Sequence, residues 1–99
     1  MMDYQLKGNT LYVAGKFAMT DLDEFRAETD KLLRHNPDGE VALEMSKCRH
    51  VNSLATGQIL RLVKKLRETN RKLIIKYPSP EVRIYLEVTK VMDLLDVVD

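Results

Sequence analysis

The 99-residue chain has no tryptophan, one cysteine, four glycines and three prolines. A single cysteine, Cys48, excludes an intramolecular disulfide and a metal site built from cysteines. A lone thiol fits a reducing compartment, so we expect a cytoplasmic protein. Internal repeats, linkers and low-complexity tracts are also missing, and the length suits one core. Residues 1–99 are therefore expected to form a single domain.

Long apolar runs and a surplus of one charge are missing too. Every apolar stretch is far shorter than the ~20 residues of a membrane-spanning helix, and residues 1–7 lack the pattern of a signal peptide. Sixteen basic residues against fifteen acidic ones leave a formal net charge of +1 at pH 7. A nucleic-acid-binding domain usually has a clear basic excess. We therefore expect neither nucleic acid nor direct membrane insertion, although docking onto a membrane protein stays open.

The first third of the chain predicts a hairpin followed by a helix. Apolar and polar residues alternate on both sides of Gly8-Asn9, a pair that suits a type II′ turn. Residues 3–14 are therefore predicted to form a β-hairpin. The helical spacing of apolar residues predicts a helix over 21–36, with Thr20-Asp21 as its N-terminal cap.

The middle of the chain predicts a strand, a polar loop and a long helix. The apolar run 41–45 indicates a central strand covered on both faces, and residues 46–52 read as an exposed polar loop. A helix is predicted over 53–70 because apolar residues recur at helical spacing. The members of this stripe are Ala55, Ile59, Leu62, Val63 and Leu66.

The last third predicts a further strand and helix. Residues 72–77 indicate a strand, and Ser79 and Pro80 suit the cap and first position of a helix over 80–90. The predicted buried face of this helix is Val82, Tyr85, Leu86 and Thr89. Residues 92–98 form a final short helix or strand. The order predicts an α/β fold with a mixed sheet of four or five strands: a leading hairpin, then parallel β-α-β units packed with helices.

Most catalytic constellations are absent. The sequence has no phosphate-binding loop, no glycine-rich dinucleotide motif, no zinc-protease motif and no nucleophile elbow. His35 is expected to be solvated near a helix C-terminus. Cys48 and His50 would form a nucleophilic pair only if their side chains met, and packing is favoured. We therefore expect a protein that is not an enzyme and needs no metal or cofactor.

Two polar features suggest binding instead of catalysis. The exposed side of the long helix is basic, which fits either an acidic partner or a plain solvated surface. Ser53 is the first residue of this predicted helix and directly follows the predicted strand and loop. It is either the N-cap, which stabilises a helix by about 1 kcal/mol, or a phosphorylation site whose added charge the helix N-terminus tolerates. The cations on the exposed side are Arg61, Lys64, Lys65 and Arg67.

Residues 41–60 resemble the signature of STAS domains, the family of bacterial anti-sigma factor antagonists. In that family a buried strand ends in D-L-S, a short loop follows, and D-S-S/T-G-L-G opens a helix. Glu44-Met45-Ser46 matches the strand end, Asn52-Ser53 falls on the D-S pair, and Gly57 on the second glycine. Nearly the whole chain shares the resemblance, because three further segments are similar to family elements. They are 11–15 (second strand), 72–75 (last strand) and 80–87 (last helix).

The resemblance implies a cytoplasmic protein-interaction module. Many family members bind a serine kinase that doubles as an anti-sigma factor, and phosphorylation of the serine at the helix start abolishes binding. The corresponding serine is Ser53. We expect the partner-binding surface around it, at Arg49, His50, Asn52 and Thr56. The loop before the helix is polar and should be exposed with free backbone donors, and the resemblance places the family's interaction site there. Other family members are constitutive subunits of transport machineries for lipids or anions, or of stress-sensing complexes.

The sequence departs from the family pattern around this serine. Asn52 replaces the aspartate beside the phospho-acceptor, and Ala18 stands where an aspartate follows the glycine of the second strand. Leu54 and Ala55 replace the second hydroxyl and the first glycine. Both a phosphorylation-controlled regulator of transcription and a constitutive subunit therefore stay open.

Overall fold

The chain begins with the predicted hairpin. The computed structural model describes residues 1–99, and its first two strands, β1 (Met2–Lys7) and β2 (Thr10–Lys16), pair antiparallel. Of the two turn residues, only Gly8 has a positive φ, +60°, as a type II′ turn requires. The hairpin prediction is confirmed.

The first helix, α1 (Leu22–His35), starts differently from the prediction. A short 3-10 helix (Met19–Asp21) precedes it, and no side chain caps α1 itself. The Asp21 carboxylate accepts a hydrogen bond of 2.7 Å from the Ala18 N–H and so closes the 3-10 turn. Asp21 stands at the N-cap position of α1, as predicted, but its carboxylate does not cap that helix, because it satisfies a donor one turn earlier.

The central strand, β3 (Val41–His50), is twice as long as the apolar run suggested. The polar loop predicted from residue 46 is wrong up to His50, because this segment pairs in parallel with the end of β2. Backbone hydrogen bonding along a strand does not depend on apolar side chains. Ser46 and Lys47 are exposed in succession, and Cys48 then returns to the core.

The remaining elements follow the predicted order. They are α2 (Ser53–Arg67), β4 (Leu73–Lys76), α3 (Pro80–Val88), a second 3-10 helix (Met92–Leu94) and β5 (Asp96–Val98). Strand β4 pairs parallel with β3, as predicted, and also with β5. The Ser79 hydroxyl caps α3 by accepting from the Val82 N–H at 3.2 Å. Thr89 is exposed, so its predicted burial is wrong. Its hydroxyl donates back to the Tyr85 carbonyl at the helix end.

All three helices pack on one face of the sheet. The strands stand in the order β1-β2-β3-β4-β5, and right-handed crossovers that step in one direction place every connecting helix on the same side. One cluster of 21 buried apolar residues joins all three helices to strand positions such as Leu43 and Ile75. Ala42 and Ile74, which point the other way, lie outside it. The strand is central, as predicted, but helices cover only one of its faces. Ala42 is buried even so, between Thr10 and Ile74 of the adjacent strands.

Gly15 allows the end of β2 to pass close to the chain start. Its φ is +108°, a conformation that side chains with a Cβ rarely adopt. A Cβ at this position would also clash with the Met1 carbonyl oxygen. This is the glycine that the resemblance placed at the end of the second strand.

The apolar stripe of α2 faces the sheet as predicted, since all five of its members are buried. Leu62→Ala should lower the free energy of unfolding by about 2–5 kcal/mol, because it removes buried methyl groups and leaves a cavity. Urea denaturation measures the change, and Lys65→Ala, an exposed position of the same helix, is the control. A loss below about 0.5 kcal/mol for Leu62→Ala would mean that the residue does not pack in the core.

Candidate functional site

The candidate site lies at the connection between the end of β3 and the start of α2. The strand ends at His50, whose carbonyl accepts a 3.0 Å hydrogen bond from the Phe17 N–H after β2. Val51 is buried and anchors the connection to the core. Asn52 and Ser53 follow directly, so the two core-packed strands fix the position of the first turn of α2.

Asn52, not Ser53, caps the helix. Its side-chain oxygen accepts from the N–H groups of Leu54 (3.0 Å) and Ala55 (3.1 Å). The interpretation of Ser53 as the cap is wrong, since the cap is the residue before it. Asparagine caps a helix as well as serine does, so the two residue types alone do not tell the positions apart. The expectation of free backbone donors is also wrong for these two groups, since the Asn52 side chain occupies both.

Ser53 is the first residue of α2 and is exposed. Its hydroxyl takes part in none of the side-chain hydrogen bonds of the structure, whereas the neighbouring Asn52 side chain makes two. The folded state therefore does not rely on the Ser53 side chain, and the hydroxyl faces solvent at a helix N-terminus.

The structure divides the other predicted site residues into exposed and buried ones. Arg49 and His50 are exposed and Asn52 is half-buried. Thr56 is only 5% exposed, and its hydroxyl donates to the Asn52 carbonyl at 3.0 Å. The Thr56 side chain supports the first turn from inside, so it does not add to an exposed surface.

Two exposed apolar side chains were missed from the sequence, one directly after Ser53 and one two residues after Phe17, whose N–H bonds the end of β3. Leu54 is 37% exposed and Met19, in the 3-10 helix that follows Phe17, is 75% exposed. Leu54 stands where the family pattern has a hydroxyl, which was a usable signal. Met19 carries no such signal, because its segment is linked to the end of β3 only through the backbone hydrogen bond between Phe17 and His50.

Cys48 and His50 do not form a nucleophilic pair. The Cys48 side chain is fully buried, and its sulfur donates to the backbone carbonyl of His50 at 3.6 Å, not to the exposed ring. Burial raises the pKa of the Cys48 thiol to about 11, so the thiol is protonated at neutral pH. The Ser79 hydroxyl donates to the Cys48 carbonyl, which ties the start of α3 to the end of β3.

Other polar features are accounted for locally. His35 is exposed near the C-terminus of α1, and its ring bonds the Lys31 carbonyl at 2.9 Å. No group of three or more histidine, cysteine, aspartate or glutamate side chains is placed to hold a metal ion. None of the helices is both long enough and apolar enough to cross a membrane.

The cap assignment makes a specific prediction for Asn52. Asn52→Ala should lower the free energy of unfolding by about 1 kcal/mol, because two N–H groups lose their acceptor. Asn52→Asp should keep the stability, since a carboxylate accepts the same bonds and favours the helix dipole. Chemical denaturation of both variants, with Ser53→Ala as the matched control, measures this. A larger loss for Ser53→Ala than for Asn52→Ala would contradict the assignment.

The buried thiol predicts a pH dependence. The raised pKa of Cys48 favours the protonated folded form, so its contribution to stability is complete below the ordinary thiol pKa and is lost as the pH rises towards 11. At pH 8 iodoacetamide should react with the native protein at least about 100-fold more slowly than with the urea-unfolded chain, because the thiolate is the reactive species. Equal rates would show that Cys48 is accessible.

Known proteins share this fold. A family model of the STAS domain matches residues 2–99, while no curated protein sequence is significantly similar to the chain. SpoIIAA, an anti-sigma factor antagonist solved in its unphosphorylated form, has a TM-score of 0.75 and 14% identity, with 100% of this chain and 89% of that chain covered.

Two further solved structures are similar. A protein of Thermotoga maritima assigned as an anti-sigma factor antagonist has a TM-score of 0.77 and 15% identity, with 99% of this chain and 86% of that one covered. RsbS of Moorella thermoacetica, with a serine replaced by glutamate, has a TM-score of 0.69 and 11% identity, with 98% and 85% covered. At these identities the likeness concerns the fold alone. Because the family model spans nearly every residue and the five-stranded sheet with three helices agrees with it, the chain belongs to the STAS domain family.

Proposed function

We propose that this chain is a non-catalytic, cytoplasmic regulator of the anti-sigma factor antagonist type, which binds a protein partner through the surface around Ser53. The observation that carries the proposal is the division of roles at the start of α2. Asn52 caps the helix, and Ser53 remains exposed without a structural hydrogen bond. A serine that stability does not need is free to contact or be modified by another protein.

The chemistry of the surface suits a protein partner. Arg49 and His50 contribute exposed polar groups, and Leu54 and Met19 contribute exposed apolar area. Protein interfaces combine apolar contacts with polar groups that set orientation. The surface proposed for the partner thus consists of Met19, Arg49, His50, Ser53 and Leu54, with Asn52 and Thr56 holding the first turn in place.

Phosphorylation of Ser53 would weaken binding of the partner and would not unfold the domain. A phosphate carries about −1.5 to −2 charges, and the N-terminal end of a helix favours negative charge. A partner packed against the same spot would have to bury that charge, which is costly unless it is paired. The SpoIIAA structure is described as the unphosphorylated form, which supports phosphorylation as a property available to this fold.

A constitutive subunit of a transport or stress-sensing assembly is the second candidate. The observation in its favour is that Asn52 and Ala18 stand where the family has aspartates and that Leu54 replaces a hydroxyl. An amide at Asn52 caps the helix as well as a carboxylate would, but it carries no charge. Partner contact through Leu54 and Met19 would then persist without any modification.

The decisive test begins with a pull-down from native lysate and mass spectrometry, which identify the partner and any phosphate on Ser53. Ser53→Asp should melt like the wild type, because a carboxylate is favourable in the first turn. It should weaken partner binding by about 2 kcal/mol, or roughly 30-fold in Kd, because the partner must bury an unpaired charge. Calorimetric titration and thermal melts measure both quantities.

Matched variants separate the outcomes. Gln5→Glu adds the same charge at an exposed position of β1 and should leave binding unchanged. If Ser53→Asp binds as tightly as the wild type, the partner contacts another surface. If it binds weakly but native protein never carries phosphate on Ser53, the constitutive candidate is favoured over the switch.

A further inference from the structure

A second surface lies at the opposite end of α2. Two hollows of about 410 and 480 Å³ stand side by side between the C-terminal half of α2 and the 3-10 helix Met92–Leu94. They share Val63, Arg67 and Leu94 as lining residues, so they form one continuous depression, which we call the α2 groove. At about 1.5 Å per helical residue, it is centred roughly 15 to 20 Å from Ser53.

The floor of the α2 groove is apolar. Val63 is buried, Leu60 is half-buried, and Leu94 is 48% exposed at the end of the second 3-10 helix. Together these three side chains form an apolar strip among the charged residues that line the same groove. Covering such a strip with another apolar side chain is favourable in proportion to the area removed from water.

The rim of the α2 groove is predominantly basic and its cations are unpaired. Lys64, Arg67 and Lys72 line it, against Glu68 and Asp96. The two ion pairs of the structure lie elsewhere, at Lys31–Glu28 and Arg83–Asp99. Arg67 makes only a long 3.4 Å contact to the Leu94 carbonyl. The exposed Arg61 and Lys65 on the same helix strengthen the positive potential.

We propose that the α2 groove docks an acidic amphipathic helix of a protein partner. Leucine-like side chains of that helix would cover Leu60, Val63 and Leu94, and carboxylates along its flanks would meet Lys64 and Arg67. Apolar anchors at helical spacing in a groove are a recurrent mode of peptide recognition. Opposite charges on the rim set orientation and speed association. The proposal does not rest on the surface around Ser53, which lies at the other end of the helix.

A protein helix suits this surface better than an anionic membrane does. A membrane-binding surface inserts protruding apolar side chains, whereas here Val63 is buried and Leu60 is half-buried, which leaves Leu94 as the one exposed apolar side chain of the groove. The chain as a whole has a net charge of only +1, and α1 exposes the carboxylates of Asp23, Glu24 and Asp30, which an anionic bilayer repels. The residues that line the groove along α2, from Leu60 to Glu68, span about 12 Å at 1.5 Å per residue, which is enough to contact a little over two turns of a partner helix.

The test uses a synthetic peptide of about 15 residues, with leucine at helical spacing and glutamate at most other positions. NMR titration of the labelled full chain should shift the amides of Leu60, Val63, Lys64 and Leu94, with binding that weakens as salt is added. Lys64→Glu should weaken binding about tenfold, because it places like charges together. Lys65→Glu changes the same charge on the same helix outside the groove and should weaken it no more than about twofold.

Three controls make the outcome decisive. A peptide with lysine in place of glutamate should not bind, and Leu94→Ser, at an exposed position, should weaken binding of the acidic peptide severalfold. Ser53→Asp should leave peptide binding unchanged, so the proposal for the α2 groove and the proposal for the surface around Ser53 are tested independently. Equal losses for Lys64→Glu and Lys65→Glu, shifts away from the groove, or binding to phosphatidylcholine–phosphatidylglycerol vesicles without binding to the peptide would each overturn the proposal.

Discussion

The parallel pairing of β3 between β2 and β4 is the constraint on which the rest of the structure depends. It continues on the β2 side as far as His50, well beyond the apolar half of the strand. The pairing fixes the position of the strand end at the edge of the core, where Val51 is buried and Asn52 caps α2. The same strand end accepts the Ser79 hydroxyl at the Cys48 carbonyl. One strand therefore sets the start of two helices.

The division of labour between Asn52 and Ser53 follows from this arrangement. A cap must sit one residue before the helix with its side chain turned back to the first N–H groups, and Asn52 occupies that position. The next residue is then the first helical one and points away from the backbone donors. Thr56, one turn later, points inward and donates to the Asn52 carbonyl. A rigid, satisfied first turn can thus present a hydroxyl that the fold itself does not use.

The element order and most of the core could be predicted because they depend on local periodicity. The stripe from Ala55 to Leu66 and the turn at Gly8 need no knowledge of the rest of the chain. The second half of β3 could not be predicted in this way, because Ser46, Lys47 and Arg49 are polar and their strand is created by pairing with β2. Burial of Thr56 and the hydrogen bond between Phe17 and His50 are tertiary consequences as well. The cap was misplaced by one residue because Asn52 and Ser53 are equally good caps and adjacent.

The narrow edge of the sheet has a dynamic consequence. Strand β5 has three residues and pairs on one side only, with β4, while Asp96 and Val98 face solvent. Short, singly paired elements exchange their amide hydrogens through local openings that cost far less than global unfolding. Leu94, part of the floor of the α2 groove, stands two residues before this strand, so one side of the groove borders a segment that opens locally. The N-terminal end of α2 instead follows β3, which pairs with a strand on each side.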